Sequence, residues 1–268
     1  MNKTKLQSLL NTVKEIALNA GHAILAVAFH ERDVSSKEDG SPVTRADYAA
    51  HSTIVQGLAE IIPRYPVISE EGDYESFLHN SEQFTEYWLV DPLDGTKEFL
   101  KENGEYTVNI ALVDNGYPVL GVIFAPALDV MYYAASGLGS WKVKDNSSPE
   151  RLTGHGSAHP VTALISRSHP STETADYLRR FDVVLTIERG SSLKLCSVAE
   201  GEADIYPRMN NTCLWDTAAG AVIAREAGCS VVDIDGNDLM YDYRTCEINK
   251  RGLLQKSFIV YNPNTCKL

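Results

Sequence analysis

Residues 87–96 read YWLVDPLDGT, an apolar run of buried-strand type that stops at a pair of aspartates. Asp91 and Asp94 lie three residues apart, and we expect them on a tight turn where both carboxylates converge on one point. Gly95 lets the backbone pass close to a ligand, and its N–H can face an anion. Carboxylate oxygens of this kind suit Mg²⁺ rather than zinc. The alternative for an isolated motif of this kind is a strand-ending turn whose Asp and Gly only satisfy the backbone.

Two other segments carry acidic residues at the predicted ends of elements. Glu70 follows a short predicted strand within SEEG at 69–72, and Asp216 opens a small-residue helix within WDTAAG at 215–220. Alone, Glu70 is compatible with a solvated side chain and Asp216 with an N-cap. Together with the aspartate pair, they place four carboxylates in three segments. Two Mg²⁺ ions about 4 Å apart can activate a water and stabilise a leaving oxygen, which is the chemistry of phosphate monoester hydrolysis.

The pattern of elements divides the chain into two halves. Residues 1–150 predict an α+β half with an antiparallel sheet, a hairpin at Asn115-Gly116 and the metal-binding loop. Residues 145–159 are polar and predict a link. Residues 151–268 alternate strand and helix, which predicts an α/β half that completes the active site.

Composition excludes several classes of protein. The chain has 268 residues and a net charge of −12, so its average field repels nucleic-acid polymers. Its five cysteines are odd in number and lack C-x-x-C spacing, which argues against a zinc site or a disulfide framework and favours a cytoplasmic protein. Apolar residues recur at helical spacing from Leu6 to Ile24, and we expect this helix to pack on its own domain. Peripheral association with the inner face of a membrane is the alternative.

The three acidic segments together resemble the signatures of the inositol monophosphatase superfamily, which comprises lithium-sensitive, magnesium-dependent phosphatases. The resemblance implies that superfamily's layered αβαβα sugar-phosphatase fold. Five segments resemble the 3′(2′),5′-bisphosphate nucleotidase branch of this superfamily, at residues 41–44, 87–99, 104–112, 165–169 and 190–194.

The resemblance implies two metal sites and room for a third ion. The first site matches Glu70, Asp91 and the Leu93 carbonyl, and the second matches Asp91, Asp94 and Asp216. Glu70 also corresponds to a residue that helps to hold a weaker third ion. Glu70, Asp94 and Asp216 count among the implied substrate contacts as well, because the substrate phosphate binds beside the ions.

The resemblance also assigns roles around the reacting phosphate. Gly95, Thr96 and Lys97 match a phosphate-binding turn. Asp47 and Thr96 resemble the pair that orients the attacking water. From the sequence pattern alone, Asp47 also fits a capping box with Thr44, and both roles can hold.

Contacts to the rest of a nucleotide are implied at two segments and one arginine. A helix N-terminus that carries hydroxyls and a lysine can seat an anion. For each residue alone, a surface cap or turn is the competing interpretation. The implied contacts are Ser166, His169, Ser191, Ser192, Lys194 and Arg208.

The implied reaction is Mg²⁺-dependent removal of the 3′-phosphate of adenosine 3′,5′-bisphosphate to give AMP and phosphate, without a covalent enzyme intermediate. A small-molecule nucleotide is then the partner, and the sequence predicts no nucleic-acid polymer and no obligatory protein partner. Two alternatives stay open. One is an inositol monophosphatase or another sugar-phosphate phosphatase, and the other is a non-catalytic sensor of phosphorylated nucleotides.

Overall fold

The computed structural model describes residues 1–27, 34–37, 39–79, 84–154, 160–250 and 252–268. These residues form α1 (Lys3–Ala26), α2 (Arg45–Ala59), α3 (Tyr74–His79), α4 (Thr96–Leu100), α5 (Thr172–Leu178), α6 (Leu193–Glu200) and α7 (Leu214–Glu226). The first nine strands are β1 (Ser35–Ser36), β2 (Pro42–Val43), β3 (Val67–Ser69), β4 (Glu86–Asp94), β5 (Thr107–Asp114), β6 (Tyr117–Ala125), β7 (Val130–Ala135), β8 (Gly139–Lys144) and β9 (Glu150–Leu152). The later strands are β10 (Val161–Ser166), β11 (Val183–Arg189), β12 (Ile205–Arg208), β13 (Thr212–Cys213), β14 (Ser230–Asp233), β15 (Glu247–Asn249), β16 (Gly252–Gln255) and β17 (Phe258–Tyr261).

Five layers of secondary structure stack in the order helix, sheet, helix, sheet, helix. Helices α1 and α2 cover one face of a seven-stranded sheet, and α7 covers its other face. Helix α6 packs on α7 and on the five-stranded sheet, whose far face carries α5. The αβαβα arrangement implied by the sequence is therefore confirmed.

Helix α1 forms because its apolar residues share one face. Asn2 caps the helix by accepting from the Lys5 N–H at 2.9 Å. Leu10 and Val13 are fully or almost fully buried against α2 and β6. The predicted packing of this helix on its own domain is confirmed, and the face that a membrane would need is occupied. Across the described ranges, every helix falls short of the length and apolar character that crossing a membrane requires.

The seven-stranded sheet has the order β3-β4-β5-β6-β7-β8-β9. Strand β3 is parallel to β4, and the other pairs are antiparallel. The predicted hairpin at Asn115-Gly116 joins β5 to β6, and both residues have positive φ values, 51° and 79°. Strand β9 lies inside the segment that is predicted to be a polar link. The local sequence pattern does not reveal the pairing of this strand with β8.

The second half contains the expected alternation of strands and helices. Its main sheet has the order β11-β10-β12-β17-β14, and a small sheet β13-β16-β15, which the sequence pattern did not predict, adjoins it. One apolar cluster spans both halves and includes Leu89 and Tyr87 together with Trp215 and Phe258. The division near residue 150 stays a prediction.

Two glycines allow helices to approach β6 closely from opposite faces. A Cβ on Gly121 would lie 2.5 Å from the Ala219 carbonyl oxygen of α7. A Cβ on Gly21 of α1 would lie 2.4 Å from Cε1 of Phe124 on the other face. Helix α7 is thus held against the sheet at backbone contact distance.

Candidate metal centre and active-site cleft

The aspartate motif lies within β4 and not on a turn that follows it. Asp91 pairs with Asn109 and Asp94 pairs with Thr107, so three steps along β4 oppose two steps along β5. This one-residue excess is a β-bulge. Residues that pair directly across two strands point to the same face of the sheet, and so do residues two apart on one strand. Asn109 and Thr107 are two residues apart on β5, so their partners Asp91 and Asp94 share a face. The bulge therefore turns both carboxylates to the α7 side of the sheet, which corrects the expected tight turn.

Three of the predicted metal ligands converge on one point. Carboxylate oxygens of Glu70, Asp91 and Asp216 all lie within 4.8 Å of one another. Asp94 is close enough to Asp91 and Asp216 for its charge to act on both. A set of hard oxygen donors from separate segments fits a divalent cation such as Mg²⁺.

The electrostatics of the cluster favour a bound cation. Burial raises the pKa of Asp91 well above its usual value, and the charge of Glu70 adds to this effect. Burial, with the charge of Asp216, raises the pKa of Asp94 to about 6. Burial also raises the pKa of Glu70 and of Asp216. Neighbouring buried carboxylates resist ionisation together, and a divalent cation relieves that cost.

Glu70 is placed by the end of β3, where its N–H donates to the Val90 carbonyl at 3.1 Å. Its carboxylate accepts from the Lys37 ammonium at 2.7 Å, and the same ammonium contacts Glu71. Lys37 follows β1, and no motif in the sequence predicts its role. A lone lysine in a polar stretch gives no local signal of such a contact.

Asp216 lies in the first turn of α7, three residues after its N-cap. The helix begins at Leu214, earlier than the sequence pattern predicted, and Cys213 is the N-cap. The Asp216 carboxylate accepts from the Cys213 N–H at 2.9 Å and from the Thr212 hydroxyl. It therefore caps the helix with one oxygen while the carboxylate also reaches the metal-ligand cluster.

Asp47 serves both the helix cap and the cleft. Its Oδ2 accepts from the backbone N–H and the hydroxyl of Thr44, both at 2.7 Å, which confirms the predicted capping box. Its Oδ1 accepts from the Thr96 hydroxyl at 3.2 Å. Burial raises the pKa of Asp47, which is only 2% exposed. The two residues predicted to orient water are thus in direct contact.

The predicted phosphate-binding turn opens the short helix α4. Gly95 is its N-cap at φ 91°, a conformation that favours glycine. The exposed Lys97 ammonium lies 3.4 Å from Nε2 of His169. The chain therefore brings the predicted turn beside the loop after β10, although the two are 72 residues apart.

The opposite wall of the cleft comes from the segment before α6. The Ser192 N–H donates to Asp94 at 2.6 Å, and its hydroxyl donates to Asn109 at 2.8 Å. Ser191, at φ 54°, has its hydroxyl 2.5 Å from that of Thr107. Thr107 and Asn109 are site residues that the motifs did not predict. Their polar side chains at inward positions of a buried strand were the available signal.

Two cationic side chains, those of Lys194 and Arg208, also lie in the cleft. Burial lowers the pKa of the Lys194 ammonium to about 8, and the charge of Asp94 opposes this shift. Arg208 at the end of β12 is half-buried and donates from Nε to the Asn210 carbonyl at 3.2 Å. Both residues line the cavity that the metal-ligand cluster lines.

The cleft holds about 290 Å³, and an apolar cavity of about 450 Å³ adjoins it. The two share Ser166, His169, Tyr206 and Arg208 in their walls. The apolar cavity lies between α5 and the five-stranded sheet, where Ile165, Leu178 and Phe181 line it.

The sequence profile of the inositol monophosphatase family matches residues 5–264. The 3′(2′),5′-bisphosphate nucleotidase CysQ of Escherichia coli K12 is 47% identical over 245 residues, which cover 90% of this chain and 97% of the relative. The enzyme of the same name from Haemophilus influenzae is 34% identical over 91% of each chain. A crystal structure of CysQ from Bacteroides thetaiotaomicron superposes with a TM-score of 0.79 at 39% identity, over 96% of this chain and 97% of that one.

Proposed function

The chain belongs to the inositol monophosphatase family, and from that membership we propose that it is a Mg²⁺-dependent 3′(2′),5′-bisphosphate nucleotidase. It hydrolyses the 3′-phosphate of adenosine 3′,5′-bisphosphate and releases AMP and phosphate. The similar proteins from Escherichia coli and Haemophilus influenzae carry that activity in their names and match nine-tenths of the chain.

The observation that supports a bisphosphate is the pair of cations in the wall of the cleft. The metal-ligand cluster needs only the phosphate that is cleaved. Lys194 and Arg208 lie in the same cleft and supply positive charge for a second phosphate. A substrate with a single phosphate, such as inositol 1-phosphate, would bind at the metal-ligand cluster and bring no second phosphate to Lys194 and Arg208.

The neighbouring apolar cavity supports a nucleoside as the rest of the substrate. Its walls include apolar side chains that can pack on a purine ring, whereas a carbocyclic polyol offers little apolar surface to them. The cavity opens beside Ser166 and His169, two residues of the predicted nucleotide-binding segments. We therefore propose that the base enters this cavity while the ribose spans toward the carboxylates.

The side chains of this protein then divide the work of hydrolysis. Divalent ions held by Glu70, Asp91, Asp94 and Asp216 would lower the pKa of a water and neutralise charge on the leaving oxygen. The Thr96 hydroxyl donates its hydrogen to Asp47. The Thr96 oxygen can therefore accept a hydrogen bond from the attacking water. Because burial raises its pKa, the Asp47 carboxylate is a better proton acceptor than an exposed aspartate.

The phosphate turn keeps the reacting group in place. We propose that the backbone N–H groups around Gly95, at the start of α4, bind the oxygens of the cleaved phosphate. The Leu93 carbonyl remains the proposed backbone ligand of the first metal site. We propose a third, weaker ion at Glu70.

A panel of substrates tests the assignment. We expect kcat/KM with Mg²⁺ to be highest for adenosine 3′,5′-bisphosphate, compared with inositol 1-phosphate and fructose 1,6-bisphosphate. A higher value for inositol 1-phosphate would contradict the assignment. Tight nucleotide binding without release of phosphate would indicate a sensor.

We also propose a cytoplasmic location. All five cysteines lie in the described ranges, none of them forms a disulfide bond, and four of them are buried. Fractionation of cells that produce the protein at native levels tests this proposal, and recovery of most of the protein with membranes would contradict it.

A further inference from the structure

The two substrate-binding segments of the second half attach to one carboxylate of the first half. Glu105, which precedes β5, accepts from the Gly190 N–H at 2.7 Å. The same oxygen lies 2.9 Å from NH1 of Arg167, in the loop after β10. The segment before α6 and the loop after β10 therefore share one anchor. The Glu105 side chain is only 17% exposed, which limits the screening of this ion pair by water.

The backbone of Glu105 also lies close to the phosphate-binding turn. A Cβ on Gly95 would lie 3.2 Å from the Glu105 carbonyl oxygen. A Cβ on Gly190 would lie 3.1 Å from the same oxygen and 3.2 Å from the Glu105 Cβ. Gly95 and Gly190 therefore both lie close to the backbone of Glu105. A larger side chain at either glycine would push its segment away from Glu105. Glu105 is the point where the turn and the two substrate segments meet.

A second carboxylate strengthens the same junction. Glu98 of α4 is buried and accepts from the Ser168 hydroxyl. A Cβ on Gly190 would lie 2.7 Å from the Glu98 Cγ. Within the described ranges, the Glu98 side chain bonds to the loop after β10, whereas Glu105 bonds to the segment before α6 and forms an ion pair with that loop.

We propose that Glu105 is a positioning residue that fixes the distance between the site of the cleaved phosphate and the site of the second phosphate. The two phosphates of a nucleoside 3′,5′-bisphosphate are separated by a short ribose, so their sites must keep a matching separation. By holding the walls at that separation, Glu105 makes the enzyme select a nucleotide with two phosphates over one with a single phosphate. This inference rests on the proposed function.

The test compares adenosine 3′,5′-bisphosphate with adenosine 3′-monophosphate, which lacks the second phosphate. Glu105→Ala removes both contacts, and Glu105→Gln keeps an acceptor for the Gly190 N–H but loses the charge opposite Arg167. Since a hydrogen bond to a charged group is a strong one, we expect Glu105→Ala to reduce the preference for the bisphosphate about tenfold or more. The loss should arise in KM for the bisphosphate, with kcat on the monophosphate within about twofold of wild type. Glu105→Gln should lose less.

Glu202→Gln is the matched control. It removes an ion pair of 2.8 Å to Arg189, the neighbour of Gly190, on a side chain outside the cleft. We expect it to keep the wild-type preference. Arg167→Gln also removes the bond from NH2 to the Glu188 carbonyl at 2.9 Å, so it should lose at least as much preference as Glu105→Gln. The double variant should lose little more than Arg167→Gln, because both changes break the same ion pair.

Turnover of the monophosphate also reports folding, since it needs the intact metal centre. If the Glu105 variants lose kcat/KM equally on both substrates, or keep the wild-type preference, the inference about Glu105 is wrong and the proposed function stands. An equal loss of preference in Glu202→Gln would overturn that inference too. A wild-type enzyme that does not prefer the bisphosphate would contradict the proposed function and the inference together.

Discussion

A methyl group at Gly121 should disturb the metal centre by pushing helix α7 away from the seven-stranded sheet. The Cβ of Gly121→Ala would lie 2.5 Å from the Ala219 carbonyl oxygen and 2.8 Å from its Cα. Ordinary contacts begin near 3.4 Å, so the helix must move away from β6 by roughly 1 Å. Asp216 lies three residues before Ala219 in the same helix and moves with it.

Two measurable losses follow from that shift. Overpacking of this kind lowers the free energy of unfolding by about 1–3 kcal/mol. Metal ligands tolerate displacements of only about 0.2 Å, so the half-saturating Mg²⁺ concentration should rise. At a fixed low Mg²⁺ concentration, we expect kcat/KM to fall by about a hundredfold, as for other misplacements near 1 Å. Mg²⁺ titrations of activity and chemical denaturation measure the two effects separately.

Gly21→Ala is the control for overpacking itself. It crowds the opposite face of β6 through Phe124, and helix α1 carries none of the proposed site residues. We expect a comparable loss of stability with a wild-type requirement for Mg²⁺. If Gly121→Ala keeps the wild-type requirement, or if Gly21→Ala raises it equally, the reasoning is wrong.

Three other predictions concern the carboxylate cluster. Asp91→Asn should nearly abolish turnover even at saturating Mg²⁺, because Asp91 contributes to both proposed metal sites, and a near-native kcat would refute this assignment. Millimolar Li⁺ should inhibit, and an unaffected rate across a Li⁺ titration would count against the proposed arrangement of ions. Burial raises the pKa of Asp94 from 3.8 to about 6, so the folded protein favours the protonated carboxyl. The stability that this group contributes is therefore full below about pH 4 and is lost as the pH rises through about 6. Melting curves of the metal-free protein should show this loss between about pH 4 and pH 6, with Mg²⁺ restoring stability above that window, and a Mg²⁺ effect that is equal at both ends would contradict it.

The sequence predicted those elements whose signal is local. The α1 stripe, the Thr44 cap with Asp47, and the Asn115-Gly116 hairpin each depend on residues within a few positions of one another, and the structure confirms all three. The apolar spacing and the turn residues determine these elements without help from the rest of the chain.

What the sequence did not predict depends on pairing between distant segments. The bulge in β4 exists only relative to β5, and β9 is a strand only because β8 pairs with it. The same holds in the cleft. The contact of Lys37 with Glu70 and that of Glu105 with Gly190 join residues 33 and 85 positions apart, so neither leaves a periodic trace.

The extra residue in β4 matters for anyone who would transplant this catalytic apparatus. On a regular strand, side chains three positions apart point to opposite faces, so copying Asp91 and Asp94 alone would send one carboxylate into the layer beneath α1. A successful graft has to include the irregular backbone and its partners Thr107 and Asn109. A homologue that lacked one residue between its two aspartates would carry them two positions apart, where a regular strand turns both to one face without the bulge.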